Sequence, residues 1–184
     1  MPNWCENTLN INGTAEDISA FIKWLDEKPF SFERIDPTPE ELKDNASFSQ
    51  SRKDSGAGKE LIEKFGSDNW YDWRIQNWGC KWDIEENEGK PAHSLEESIS
   101  FEFQTAWSPP EKAIYTLSLQ FPTLTFFLEH CEMGCGFAGE MTVKNGESNG
   151  TYYSSEENAD GFKQHVSERW GYEFDEEEET VDSN

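Results

Sequence analysis

His130, Cys131 and Cys135 are the residues whose types come nearest to a metal or nucleophile site. A zinc site needs four ligands converging in a tetrahedron, and successive residues such as His130 and Cys131 point to opposite faces of a strand. A cysteine nucleophile needs a neighbouring base held by a third group, and His93, His130 and His165 stand in no such pattern. Gly134, Gly136 and Gly139 lie between two expected strands rather than between a strand and a helix start, so they predict a bulge and turn, not a phosphate cradle. In a chain with 38 acidic residues, carboxylate spacing alone selects no acid and base pair. The sequence therefore gives no catalytic residue, metal ligand or cofactor, and the expectation is a protein that is not an enzyme.

The densest candidate for recognition is Asn69 to Asp83, NWYDWRIQNWGCKWD, which holds Trp70, Trp73, Trp78 and Trp82 within thirteen residues. The spacing of Trp70 with Trp73 and of Trp78 with Trp82 suits packing against a sheet, with Trp78 and Trp82 in the core. Facing outward, the same rings form a binding surface, for which Trp70, Tyr71, Asp72, Trp73 and Trp107 are the candidates, with Asp83, Glu85 and Glu86 at its rim. Lys81 with Asp83 and Asp72 with Arg74 are candidate ion pairs.

Composition narrows the class of partner. The net charge is −23, from 38 acids against 15 bases, which repels phosphates and anionic lipid and attracts basic proteins. From Gly146 onward there are 12 acids and 2 bases, ending in Asp175, Glu176, Glu177, Glu178 and Glu179. Residues 172–184 thus read as a disordered acidic tail and a further candidate contact for a basic partner. No export signal opens the chain and no stretch approaches the roughly 20 apolar residues of a membrane span, so the expected compartment is the cytoplasm, with Cys5, Cys80, Cys131 and Cys135 as free thiols.

The elements that must position these residues follow from periodicity. Cys5, Leu9 and Ile11 alternate with polar residues as a first strand over 4–11, and Thr14 caps a helix over 15–26 with Ile18, Phe21, Ile22 and Leu25 on one stripe. Phe30 and Phe32 suggest a short edge strand, and residues 43–59 a mobile loop. Strands follow over 98–105, 123–130 and 139–144, with a helix over 109–120 opened by a Ser108 to Glu111 capping box. Asn145 and Gly146 turn a hairpin into a strand near Thr151, and Phe162 to Trp170 is a last helix. This order fits one α+β domain over 1–171, a ferredoxin-like antiparallel sheet with two helices on one face and the tryptophan-rich segment inserted.

The motifs NWYDWRIQNWGCKWD, FEFQTAWSPP and FLEHCEMGCGFAGE, with the opening MPNWCENTLNI, resemble the YubB/Api92-like family of phages, plasmids and other mobile elements. The resemblance spans about Met1 to Tyr153. It implies a ferredoxin-like domain and a mobile-element origin, and no activity. Joined to the charge, it gives the expectation of an accessory protein that binds a basic host protein, a nucleic-acid mimic with an anti-restriction or anti-CRISPR role. The alternative is a small ligand-binding domain or enzyme with a pocket built from Trp70, Tyr71, Trp73, Trp78 and Trp107.

Overall fold

The computed structural model describes residues 3–44 and 55–174. Its frame is a six-stranded antiparallel sheet of β1 (Trp4–Asn12), β2 (Pro91–Ser94), β3 (Ser98–Ala106), β4 (Thr125–Glu132), β5 (Phe137–Lys144) and β6 (Glu147–Ser154), ordered β2-β3-β1-β4-β5-β6. Among the described residues seven helical segments accompany them: α1 (Ala15–Leu25), α2 (Phe32–Ile35), α3 (Glu40–Lys43), α4 (Gly56–Phe65), α5 (Trp70–Asn77), α6 (Glu111–Gln120) and α7 (Ala159–Trp170). Both β3 and β4 run antiparallel to β1 between them, so β3, α6 and β4 form a split β-α-β unit.

One face of the sheet carries the main core. Leu9, Ile11, Phe101, Phe126 and Leu128 meet Ile18 and Phe21 of α1 and Ile114 and Leu117 of α6, so α1 and α6 share that face. Thr14 caps α1 by accepting the Asp17 N–H at 3.2 Å, as its position predicts. The hairpin between β5 and β6 turns on Asn145 and Gly146, with φ of 49° and 76°, the pair of left-handed residues that a twisted two-residue loop needs. α7 lies on the opposite face, where Phe162 and Val166 cover Cys131 and Ala138.

Several expectations are corrected. Phe30 and Phe32 do not form a strand. Phe32 opens the helical turn α2, because the Asp83 carboxylate accepts the N–H groups of Phe32 at 2.6 Å and Glu33 at 3.2 Å. Ser108 does not cap α6, which starts at Glu111; its hydroxyl donates to the Gly79 carbonyl at 2.7 Å. The expected loop at 43–59 falls largely on 45–54, outside the described residues, and its end is helical from Gly56. Tyr172 and Phe174, expected in a detached tail, pack against the α7 cluster; residues 175–184 lie outside the described residues.

Trp82 is the other correction. It is 38% exposed, while Trp78 is fully buried. The helical spacing that paired them fails because α5 ends at Asn77 and Gly79 takes a φ of 94°, after which Cys80 and Ile84 turn inward and Trp82 outward.

Candidate functional site

α7 covers the second face of the sheet only over β4 to β6, leaving β1 and β3 open beside its C-terminal end. Alternation along β1 and β3 puts apolar residues into the main core, so what remains on the open face is polar: Glu6 opposite Gln104, and Thr8 opposite Glu102. These side chains, with Glu88, Arg169 and Trp170, line a groove of about 510 Å³. On the β4 side of Thr8 stands Glu129, only 2% exposed, paired with the half-exposed Arg169.

Glu6, Glu88 and Glu129 are held rather than loose. Tyr172 O–H donates to Glu6 at 3.0 Å, and burial together with this carboxylate pushes the phenol up to about 12. Glu88 accepts the backbone N–H of Gln104 at 3.0 Å. Among the described residues that line the groove, Arg169 is thus the one cation, set among the carboxylates of Glu6, Glu88, Glu102 and the neighbouring Glu129. Trp4, on the same face as Glu6, adds an exposed ring whose centroid lies 6.0 Å from that of Trp82, with the Lys81 ammonium 3.8 Å above Trp82. The arrangement suits an approaching cation and opposes a phosphate.

The tryptophan stretch, by contrast, is mostly scaffold. Trp73 and Trp78 are buried, their rings 6.1 Å apart. Trp70 is half-buried against the same core, with Tyr71 edge-on to it at 5.9 Å. Asn69 caps α5 by accepting the Asp72 N–H at 2.8 Å and donates to the Asp72 carboxylate at 3.0 Å. Arg74 lies over the Trp70 and Trp78 rings and donates to Glu33 and Thr38. Asp83 serves α2 and its own neighbour Ile84 rather than Lys81; burial raises its pKa, against the pull of those three N–H groups. Glu85 and Glu86 are exposed in the turn before β2.

Trp107 stands apart from these rings. It is 46% exposed and lines a recess on the core-bearing face with His130, Phe137 and Tyr152, so the pocket expected from Trp70, Tyr71, Trp73, Trp78 and Trp107 together is not assembled. Asp175 to Glu179 lie outside the described residues. The sequence reading missed Glu6, Glu102, Glu129 and Arg169; the polar half of the β1 and β3 alternation was the available signal for the first two.

Residues 77–184 match the family model described as a ferredoxin-like domain in Api92-like protein, more than half of the chain. The chain belongs to the Api92-like family. A crystal structure of protein Api92 from Yersinia pseudotuberculosis shares the fold, with a TM-score of 0.52 at 12% identity, covering 84% of this chain and 99% of that one. No curated protein matches the chain. Among the described residues, no helix of this Api92-like chain is long and apolar enough to cross a membrane. None of its His, Cys, Asp and Glu side chains there form a group of three or more placed to hold a metal ion.

Proposed function

We propose that this protein is a non-enzymatic binding module that takes a basic segment of a partner protein into the acidic groove on the open face of its sheet. The observation that carries the reading is the groove itself: Glu6, Glu88 and Glu102 converge beside the buried Glu129, with Arg169 as the counter-charge, in a chain of net charge −23. A ferredoxin-like sheet offers a broad platform, and here its side chains repel nucleic acid and attract lysine and arginine. In its finer form the partner is a nucleic-acid-binding protein of a host cell, the carboxylates stand in for phosphates, and the module serves an anti-defence role for a mobile element.

The test is binding of a fluorescent arginine- and lysine-rich peptide to the full chain, followed by anisotropy across a salt series. Affinity is expected to fall steeply with salt, since exposed charges act over about 8 Å at physiological ionic strength. Glu102→Lys is expected to weaken binding at least tenfold on a folded protein. Binding that resists salt and ignores the charge reversal overturns the reading. Competition by duplex DNA for a captured host protein tests the mimicry separately.

A further inference from the structure

The recess around Trp107 lies on the face opposite the acidic groove and is independent of it. Its walls are Trp107, Pro109, Phe137 and Tyr152, its inner side is His130, Glu111 sits at its mouth, and it encloses about 300 Å³. Phe137 and Tyr152 are stacked with centroids 6.1 Å apart, and Tyr152 is 62% exposed. Two large aromatic rings open to water around one recess are costly surface for a protein to leave uncovered.

The backbone holds Trp107 in this position against its preference. Its φ is 73°, the left-handed region, which a bulky side chain rarely adopts. The strain is fixed by its N–H donating to the Asn3 carbonyl at 3.0 Å. Beneath the rings, His130 is 2% exposed and its Nδ1 has no hydrogen-bond partner among the described residues. A buried polar atom left without a partner costs free energy unless something meets it.

The recess sits near the start of α6, yet it is not an anion site. The Ala113 N–H already donates to the Trp78 carbonyl at 3.1 Å, and Gly79 lies so close that an added Cβ would stand 3.4 Å from the Glu111 nitrogen. One N–H of the first turn is therefore already taken, and the formal charge contributed at the mouth is the Glu111 carboxylate. The recess thus sets three aromatic side chains and one carboxylate together, with no cation among the described residues that line it, a composition that attracts soft cations through the negative faces of the rings.

We propose that this recess binds the head group of an organic cation, a methylated ammonium or a guanidinium, with Trp107, Phe137 and Tyr152 as ring walls and Glu111 as counter-charge. The test follows the tryptophan indole N–H signals of the full chain by NMR during titration with tetramethylammonium and with Nα-acetyl-arginine amide. Neopentyl alcohol and Nα-acetyl-citrulline amide serve as the neutral isosteres. The expected result is a saturable shift of the Trp107 signal, assigned through Trp107→Phe, at concentrations roughly tenfold lower for a cation than for its isostere. Tyr152→Ala and Glu111→Gln, both at exposed positions, are each expected to weaken the cation response severalfold while the other indole signals keep their places. A peptide bearing the same head group that binds more tightly than the free amide assigns the site to a partner's side chain; equal binding assigns it to a free small cation. Absence of saturation by either cation, equal response to the neutral isosteres, or indifference to both variants overturns the proposal.

Discussion

His130 makes the stability of this fold depend on acid in a way that can be isolated. The ring is buried on β4, and the absence of a side chain at Gly139 is what admits it: a Cβ there would lie 2.9 Å from the ring and 2.8 Å from the Thr151 carbonyl. Burial, with a smaller contribution from His165, lowers its pKa from 6.5 to about 4. Its folded pKa lies below its unfolded one, so protonation favours the unfolded chain. The stability associated with the neutral ring is present above about pH 6.5 and is lost as pH falls toward 4. That interval corresponds to about 3 kcal/mol. The assay is urea unfolding from pH 7.5 to 4 for the native chain and His130→Gln, read as the difference between the two curves so that the carboxylates common to both cancel. The buried amide of the variant changes the absolute stability and leaves its own contribution independent of pH. The native chain is expected to lose about 3 kcal/mol more than the variant across the interval; parallel curves would refute the burial argument.

Trp78→Ala is expected to cost about 4 kcal/mol in urea unfolding, because the ring is fully buried and its indole N–H donates to the Asp36 carbonyl at 2.9 Å; Trp82→Ala, exposed, is expected to cost under about 1 kcal/mol. Asp83→Asn places an amide N–H against the N–H groups of α2 and is expected to cost about 2 kcal/mol by the same measurement, with an Asp83→Ala cost no smaller. Arg169→Met leaves Glu129 buried without its cation; since Arg169 is 45% exposed, the loss in urea unfolding at neutral pH is expected near about 2 kcal/mol. Gly139→Ala drives a methyl into the Thr151 backbone oxygen and the His130 ring, and is expected to lower thermal stability and broaden the His130 resonances.

The parts of the fold legible in the sequence are those where one face is apolar and the neighbours in sequence enforce the period. β1, β3, α1 and α6 read directly because Leu9, Ile11, Phe101, Phe103, Ile18 and Phe21 all enter the main core. α2 was illegible because its start depends on Asp83, fifty-one residues beyond Phe32. Trp82 was misplaced because a helical period was extended past the point where Gly79 ends it. The groove was half legible: Glu6, Thr8, Glu102 and Gln104 show as the polar half of two strands, but polarity alone cannot say whether a strand face is open or covered. That depends on where α7 lands, which is set by Phe162 and Val166 meeting Cys131 and Ala138 and by Arg169 meeting Glu129, all pairs distant in sequence. The aromatic recess likewise draws Trp107, His130 and Tyr152 from three separate segments, so no window of sequence contains it.

What separates the groove from an ordinary acidic surface is how many of its carboxylates are already fixed. Side chains that must be ordered on binding cost about 1 kcal/mol each, which commonly cancels the gain from an exposed ion pair. Glu6 is held by Tyr172, Glu88 by the Gln104 N–H and Glu129 by Arg169, so a cation entering beside them meets oriented acceptors. Two of these three anchors come from the end of α7 and the residues just after it. Removing the Tyr172 hydroxyl by Tyr172→Phe changes no charge in the groove, yet it frees Glu6. If preorganisation matters, this variant should weaken a basic peptide by a fewfold with an unchanged salt slope, whereas Glu102→Gln should flatten the slope. Should Tyr172→Phe leave affinity untouched, the groove acts through net charge alone, and the arrangement of its carboxylates has no part in choosing the partner.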